Sequence, residues 1–118
     1  MDKLKEYCVF CRIVSGSIPA KKTDYENFIV FNDANPVSNG HCLIVPKKHF
    51  RNLLDLPSSM GGELLGIIKK ESLRLIEEGK ADGIKVISNN EPSAGQAVFH
   101  THVHIIPEKK GVKREKQV

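Results

Sequence analysis

A run of alternating histidines near the carboxyl end constrains this chain more than any other feature. From position 100 the sequence reads His-Thr-His-Val-His-Ile-Ile-Pro. A β-strand places alternate side chains on opposite faces. The pattern therefore predicts a strand over 100–106 that Pro107 ends, with Val103 and Ile105 facing a core. The opposite face would carry three imidazoles: those of His100, His102 and His104.

Three imidazoles on one face are consistent with three kinds of site. Together they would bind one metal ion, as catalytic zinc sites built from histidine do. Alternatively, one imidazole would act as a nucleophile while its neighbours set its tautomer, move protons and neutralise an anion, because imidazole titrates near pH ~6.5. In the third kind, the face would bind a phosphate ligand without turning it over.

A short glycine-containing loop before the histidines favours phosphate chemistry over a three-histidine metal site. Residues 93–96 read Ser-Ala-Gly-Gln. The backbone N–H groups of such a loop can approach a phosphate, and Gln96 adds a side-chain donor. An imidazole that attacks phosphorus would form a covalent intermediate and divide one difficult displacement into two easier ones. Donors around the non-bridging oxygens would stabilise the developing charge.

The rest of the chain indicates short strands and one long helix. Apolar residues recur at helical spacing between Met60 and Ile76, and turn residues separate the shorter apolar runs. We expect Asp55 or Ser58 to cap the long helix and Gly79 and Gly83 to end it. The predicted elements are helices over 10–14 and 55–80, a hairpin of strands over 23–26 and 28–31, and strands over 41–45 and 84–88.

Length and composition place the chain among single-domain globular proteins. It has 118 residues, of which 40% are apolar and 27% charged. No apolar run approaches the ~20 residues that a membrane helix needs, and the polar start lacks the apolar region of a signal peptide. We therefore expect a soluble, cytoplasmic protein with no membrane partner.

The formal net charge of +4 comes largely from the last ten residues, which hold five Lys or Arg. A solvated tail explains this cluster better than a nucleic-acid arm does. Because the chain has no Trp and only 6% aromatic residues, few side chains are available to stack on unpaired bases. We do not expect a nucleic-acid partner.

Three cysteines are too few, and odd in number, for an extracellular disulfide scaffold. Cys42 lies in an apolar run and is predicted to be a small core residue. Cys8 and Cys11 form a Cys-x-x-Cys pair, which fits half of a metal site, a redox pair or two buried thiols.

Taken together, these motifs resemble the histidine triad (HIT) superfamily, and most closely its Hint-like branch. The signature is His-x-His-x-His followed by two apolar residues. The resemblance leaves out only the first half-dozen residues and the basic tail. The other segments that carry it are residues 8–14 with 18–20, residues 31–33, residues 41–49, and Gly95-Gln96.

The resemblance implies a fold and an assembly. The fold would be α+β, with an antiparallel sheet of about five strands, one long helix and a short N-terminal helix. Residues 1–118 would form a single HIT domain with its core at about 7–107 and a flexible basic tail over 108–118. Two copies would pair into a homodimer with a continuous sheet.

The resemblance also implies roles for individual residues. His102 matches the nucleophile that attacks the α-phosphorus of a nucleoside 5′-phosphate derivative, His100 and His104 match its flanking partners, and His41 matches a further histidine near the site. Asp33 matches the carboxylate that binds the ribose hydroxyls, although the same residue is also an ordinary turn former. Apolar residues that would enclose the base, and would equally suit a plain core, are Phe10, Ile13, Ile18, Phe31 and Leu43. Polar groups near the phosphate would be Asn90, Gly95 and Gln96.

Some members of this superfamily carry zinc, and the matching residues here are Cys8, Cys11, His49 and His100. Four nitrogen and sulfur ligands form a closed tetrahedral structural site, which would leave His102 free as nucleophile. A redox pair is less favoured because no thioredoxin-like βαβ pattern surrounds the two cysteines.

The implied activity is cleavage of the α-phosphate bond in purine nucleoside 5′-phosphoramidates through a nucleotidyl-histidine intermediate. The alternatives are hydrolysis of dinucleoside polyphosphates and a nucleotide-binding regulatory role with vestigial catalysis.

One position departs from the pattern: Ala97 stands where many relatives carry a hydroxyl group.

Overall fold

The computed structural model describes residues 7–112, which form a mixed α+β fold built on one five-stranded sheet. The strands follow the order β1-β2-β3-β5-β4, and every neighbouring pair is antiparallel. The elements are α1 Val9–Ser15, β1 Lys22–Asp24, β2 Phe28–Asn32, β3 Cys42–Pro46, a 3₁₀ turn Ser58–Met60, α2 Gly61–Glu77, β4 Gly83–Ile87, a 3₁₀ turn Pro92–Ala94 and β5 Val103–Glu108. The predicted fold class, hairpin and short N-terminal helix are confirmed.

The two faces of the sheet are covered by different helices. Alternate residues of β2, β3 and β5 point to α2 and form a core cluster with Ile67 and Leu75 of that helix. The other face packs against α1, where Phe31 and Leu43 meet Phe10 and Ile13. Val103 and Ile105 lie in the α2 core as predicted, whereas His104 is paired with Leu43, on the α1 side.

The long helix is shorter than the predicted span of 55–80. Pro57 has an extended ψ of 134°, so the chain makes only a 3₁₀ turn before α2 begins at Gly61. The predicted caps Asp55 and Ser58 are wrong, because the residue that precedes α2 is Met60 and its side chain makes no capping hydrogen bond. The helix ends at Glu77, three residues before the predicted end, and Gly79 follows it with a φ of +75°, a conformation that favours glycine, whereas Gly83 begins β4.

The histidine-rich strand also begins later than predicted. Residues 100–102 lie outside the sheet, where the N–H and hydroxyl of Thr101 both donate to the carbonyl of Phe50. Pro107 does not end the strand, which continues to Glu108. A proline is tolerated there because β3 pairs with β5 only over 103–105, so β5 has no partner on that side at position 107.

Glu108, the first residue of the predicted basic tail, therefore belongs to the sheet. Residues 109–112 follow it as an exposed turn. The remainder of the predicted tail lies outside the described residues.

Candidate active site and metal centre

The segment over 100–104 places its three imidazoles side by side at the α1 face. The ring centroids of His102 and His104 are 5.2 Å apart. Phe10 of α1 makes edge contacts with His100 at 5.9 Å and with His102 at 5.2 Å. The structure therefore brings the predicted triad together, with an aromatic ring of α1 against its first two members.

His100 turns away from the other two histidines and toward the cysteines. Its Nε2 lies 2.8 Å from the carbonyl oxygen of Pro46. Because a carbonyl can only accept, Nε2 carries the proton and Nδ1 keeps a lone pair. That Nδ1 lies 3.3 Å from Sγ of Cys8 and 3.4 Å from Sγ of Cys11.

His49 completes a four-membered cluster, with its Nδ1 3.2 Å from Sγ of Cys11. The ligand atoms of Cys8, Cys11, His49 and His100 all lie within 4.8 Å of one another. In a tetrahedral zinc site with ordinary bond lengths, neighbouring ligand atoms are ~3.4–3.8 Å apart. The cluster therefore fits a four-coordinate ion with soft and imidazole ligands in both composition and spacing.

Local structure explains how the cysteines are placed. Cys8 precedes α1, and its Sγ accepts the N–H of Cys11 at 3.4 Å, so one turn of helix aims both sulfurs the same way. Burial lowers the pKa of His100 to about 4. A neutral imidazole is the form that binds a metal.

His102 has the opposite proton placement. Its Nδ1 lies 2.8 Å from the carbonyl oxygen of His100, so Nδ1 donates and Nε2 keeps its lone pair. The side chain is 8% exposed. An imidazole nitrogen with a free lone pair is a nucleophile, and the main chain of its own segment holds it in that tautomer.

His104, His41 and Asp33 form a second titratable group beside His102. His41 precedes β3, and its Nε2 lies 2.9 Å from Nδ1 of His104. Oδ2 of Asp33 lies 3.5 Å from Nε2 of His41 and 3.8 Å from Nδ1 of His104. Burial lowers the pKa of His104 to about 4 and also lowers that of His41, against the opposing charge of Asp33. Both shifts favour the neutral imidazole.

The structure brings together the five apolar residues predicted to enclose a base. Four are buried in one cluster under α1, and Ile18 packs partly against it; the four are Phe10, Ile13, Phe31 and Leu43. The rings of Phe10 and Phe31 meet edge to face, 5.7 Å apart. Asp33 follows β2 directly, so a carboxylate stands at one end of this apolar surface.

The two predicted amides near the phosphate are engaged within the protein. The side-chain Nε2 of Gln96 donates to the carbonyls of Arg51 and Val98, while its Oε1 accepts from Glu91 and Asn52. Asn90 accepts the N–H of Leu53 through Oδ1 and donates to the carbonyl of Ser88 through Nδ2. In this structure both side chains brace the loop around Gly95, whose φ of +87° suits glycine.

Sequence reasoning missed Asn52 and Glu91, which hold the same loop. Asn52 is buried and donates to both Glu91 and Gln96. Glu91 has a φ of +78° and forms an ion pair with Arg51, from Nε to Oε2 at 2.9 Å. No local spacing marks these residues, because their partners lie about 40 positions away along the chain.

Ala97 lies outside this network, on the wall of an open cavity of about 650 Å³. Three aromatic residues and one histidine of the Cys/His cluster share that wall: Tyr7, Phe50, Phe99 and His49. Within residues 7–112, no helix has the length and apolar character to cross a bilayer.

Comparison with known proteins agrees with this geometry. The HIT domain family model matches residues 17–111. An uncharacterised HIT-like protein of Methanocaldococcus jannaschii is 40% identical over 107 residues, covering 88% of this chain and 81% of the relative. An adenosine 5′-monophosphoramidase of Candida albicans is 36% identical over 107 residues, covering 86% of this chain and 70% of the relative.

A solved structure shares the fold. It is that of a Zn-bound histidine triad family protein from Mycobacterium smegmatis, with a TM-score of 0.86 and 35% identity, covering 92% of this chain and 80% of that one. From these similarities and the site they contain, the chain belongs to the HIT domain family.

Proposed function

We propose that this protein hydrolyses purine nucleoside 5′-phosphoramidates through a nucleotidyl intermediate on His102. The observation that carries the proposal is the 2.8 Å hydrogen bond from Nδ1 of His102 to the carbonyl of His100, which leaves Nε2 unprotonated. The phosphoramidase activity named for the Candida albicans relative supports this choice of substrate.

The proposed reaction has two displacements at phosphorus. Nε2 of His102 forms a bond to the α-phosphorus as the bond to the amine nitrogen breaks; the nitrogen keeps the electron pair and takes up a proton from solvent. Water then attacks the same phosphorus, His102 leaves with its electron pair on Nε2, and the water releases one proton. The products are the amine and a nucleoside monophosphate, with no net change in the enzyme's protons.

The nucleoside would lie on the apolar surface under α1, with its ribose at Asp33. One carboxylate oxygen of Asp33 accepts the N–H of Asn35 at 2.8 Å, and the other has only the longer contacts with His41 and His104. In this proposal, that second oxygen accepts from the ribose hydroxyls. The edge of Phe10, between His100 and His102, would then separate the base from the metal cluster.

Zinc held by Cys8, Cys11, His49 and His100 would be structural. When bound, it supplies four bonds that fix α1 against the segment over 100–102 and no open position for substrate. Nothing in the proposed reaction passes through it. Its contribution is to hold His100, whose carbonyl sets the tautomer of the nucleophile.

We also propose that two copies pair through β4, the strand at one edge of the sheet. Val86 of this edge is 49% exposed, and α2 carries the exposed apolar residues Leu65 and Ile76. Such apolar residues at an open edge strand favour pairing with a second copy.

A single assay separates this function from a regulatory nucleotide-binding role. Purified protein is incubated with adenosine 5′-phosphoramidate, and adenosine monophosphate is measured by chromatography. We expect turnover by the wild type and by Cys42→Ala, a core substitution on the α2 side, and a loss of at least ~1000-fold in His102→Ala. Intact-mass analysis after rapid quenching should show a nucleotide adduct that His102→Ala lacks.

Equal rates for wild type and His102→Ala would disprove the nucleophile. Tight binding of adenosine monophosphate without turnover by the wild type would favour the regulatory role. Faster release of nucleoside monophosphate from a dinucleoside polyphosphate than from the phosphoramidate would favour the other hydrolytic activity.

A further inference from the structure

A chain of hydrogen bonds that starts at the main chain ends at His104. The backbone N–H of Val37 donates to Nδ1 of His41 at 3.1 Å. On the other side of the same ring, Nε2 of His41 lies 2.9 Å from Nδ1 of His104. His41 is held in this place by two backbone bonds, one from its own N–H to Ser38 and one from the N–H of Asp33 to its carbonyl.

The direction of the first bond fixes the direction of the second. A backbone N–H can only donate, so Nδ1 of His41 has the lone pair and the neutral ring carries its proton on Nε2. Two N–H groups do not face each other at hydrogen-bonding distance, so Nδ1 of His104 must accept. The neutral ring of His104 therefore carries its proton on Nε2.

We propose that His41 is a positioning residue that holds His104 as a neutral Nε2–H donor to the phosphate. This inference rests on the proposed function, because it concerns the same reaction. A neutral donor stabilises negative charge that grows on a non-bridging oxygen, and it needs no proton transfer to do so. His104 consequently keeps its proton throughout both displacements.

Asp33 provides the competing arrangement that His41 prevents. Its Oδ2 lies 3.8 Å from Nδ1 of His104, so without a donor at position 41 that nitrogen can take the proton and donate to the carboxylate. Nε2 of His104 would then present a lone pair to an anionic phosphate and repel it. The tautomer of His104 thus depends on which neighbour faces Nδ1.

The same hydrogen bonds argue against a metal at this group. Ligand atoms of Asp33, His41 and His104 lie within 4.8 Å of one another, as in a possible ion site. The bond from Val37 keeps the proton of His41 on Nε2, the atom that faces the other two residues. That nitrogen has no lone pair to give to a cation, so the group acts through hydrogen bonds.

The tautomer can be observed directly by long-range ¹H–¹⁵N NMR of the zinc-loaded protein labelled with ¹⁵N-histidine. We expect a protonated Nε2 and an unprotonated Nδ1 at His104 in the wild type. His41→Leu should move population to the Nδ1–H form, and His41→Gln, whose amide can donate from the same place, should restore the wild-type form. Cys42→Ala, next in the chain but in the α2 core, should leave the spectrum of His104 unchanged.

Kinetics with adenosine 5′-phosphoramidate complete the test. We expect His41→Leu to lower kcat by at least ~tenfold while KM changes by less than ~threefold, and His41→Gln to recover most of the loss. A wild-type spectrum with Nδ1–H at His104, or an unchanged tautomer or unchanged kcat in His41→Leu, would overturn the inference. If His41→Leu does not fold, the spectra of the wild type and His41→Gln decide.

The two proposals fail in different ways. A wild type that does not turn over the phosphoramidate but shows the expected tautomers would disprove the proposed function alone. An active wild type whose rate does not depend on the residue at position 41 would disprove the role of His41 alone.

Discussion

At the scale of single residues, three histidines in one short segment carry their protons differently because each faces a different group. His100 donates from Nε2 to Pro46, and His102 donates from Nδ1 to the carbonyl of His100. His104 instead accepts on Nδ1 from His41. Under the proposed mechanism, these three identical side chains act as a metal ligand, a nucleophile and a hydrogen-bond donor without carrying different charges.

Ala97 is the residue at which we expect a substitution to improve the enzyme. It is exposed and unconnected to the Gln96 network, so Ala97→Ser adds a hydroxyl without disturbing the loop. A new donor to a non-bridging oxygen should raise kcat/KM for adenosine 5′-phosphoramidate by up to ~tenfold, equivalent to ~1.4 kcal/mol of transition-state binding. Steady-state kinetics measure the change, with Ser93→Ala on the same exposed loop as control.

If kcat/KM and nucleotide affinity both stay within error of the wild type, the loop amides already satisfy that oxygen. Ala97 would then be an ordinary surface residue.

At the scale of elements, α1 connects the metal cluster to the nucleophile. It carries Cys11, follows Cys8, and places Phe10 against His100 and His102. Because only seven residues form this helix, its own hydrogen bonds contribute little stability. Its position depends on the apolar cluster beneath it and, if the proposed site is filled, on the metal.

We therefore expect about one zinc per chain, and removal of zinc by a chelator should lower Tm. Binding energy at such a site is folding energy, so Cys8→Ser should lower metal content and reduce the free energy of unfolding by more than ~2 kcal/mol, or roughly 10 °C in Tm. Mass spectrometry of metals and calorimetry give the two quantities. Cys42→Ala should retain full zinc content. Metal that persists in a Cys8→Ser, Cys11→Ser double variant would contradict the assigned ligands.

The elements were predictable from sequence wherever the signal was local. Apolar periodicity located α2, and turn residues located the β1–β2 hairpin. The errors lie at the boundaries of the elements. Residues 100–102 alternate like a strand but bond to the loop at Phe50, and the start of α2 is delayed by the extended conformation of Pro57.

The site shows the same division. The triad and the Cys-x-x-Cys pair are readable because their members are close in sequence. The hydrogen bond from Val37 to His41 cannot be predicted from the sequence, because its donor is a backbone N–H that almost any residue supplies. Gln96 was recognised as polar, but two of its four internal hydrogen bonds are with residues about 45 positions away, so its bracing position could not be foreseen.

At the scale of the whole molecule, the open edge at β4 predicts the assembly. We expect sedimentation equilibrium to give about twice the chain mass of 13.2 kDa. Val86→Asp places a charge on the exposed edge and should shift the protein toward monomer. Leu54→Asp, at a residue that is 76% exposed and lies in the loop before α2, far in sequence from β4, is the matched control and should remain dimeric. A wild type that sediments as a monomer at micromolar concentration would contradict the pairing.

Buried neutral histidines also make the stability of the whole molecule depend on pH. The pKa of His104 is lowered to about 4, so between that value and ~6.5 the unfolded chain binds a proton that the folded chain does not. The free energy of unfolding should therefore be greatest above pH ~6.5 and fall on acidification, by up to ~1.4 kcal/mol per pH unit for this residue. Urea unfolding at pH 7 and pH 5 measures the slope.

His104→Gln removes the titrating group and should give a shallower slope. An equal slope in this variant would mean that other groups account for the acid sensitivity.

The hydrogen bond from His102 to the carbonyl of His100 affects which point mutations can remove the activity. The carbonyl that orients His102 belongs to the peptide backbone, so it is present whichever amino acid occupies position 100. A point mutation there can weaken metal binding but cannot delete the acceptor, whereas one codon change at position 41 removes the donor to His104. A variant changed only at position 41 would therefore keep the backbone acceptor that orients His102 and, under the proposed mechanism, form the covalent adduct slowly.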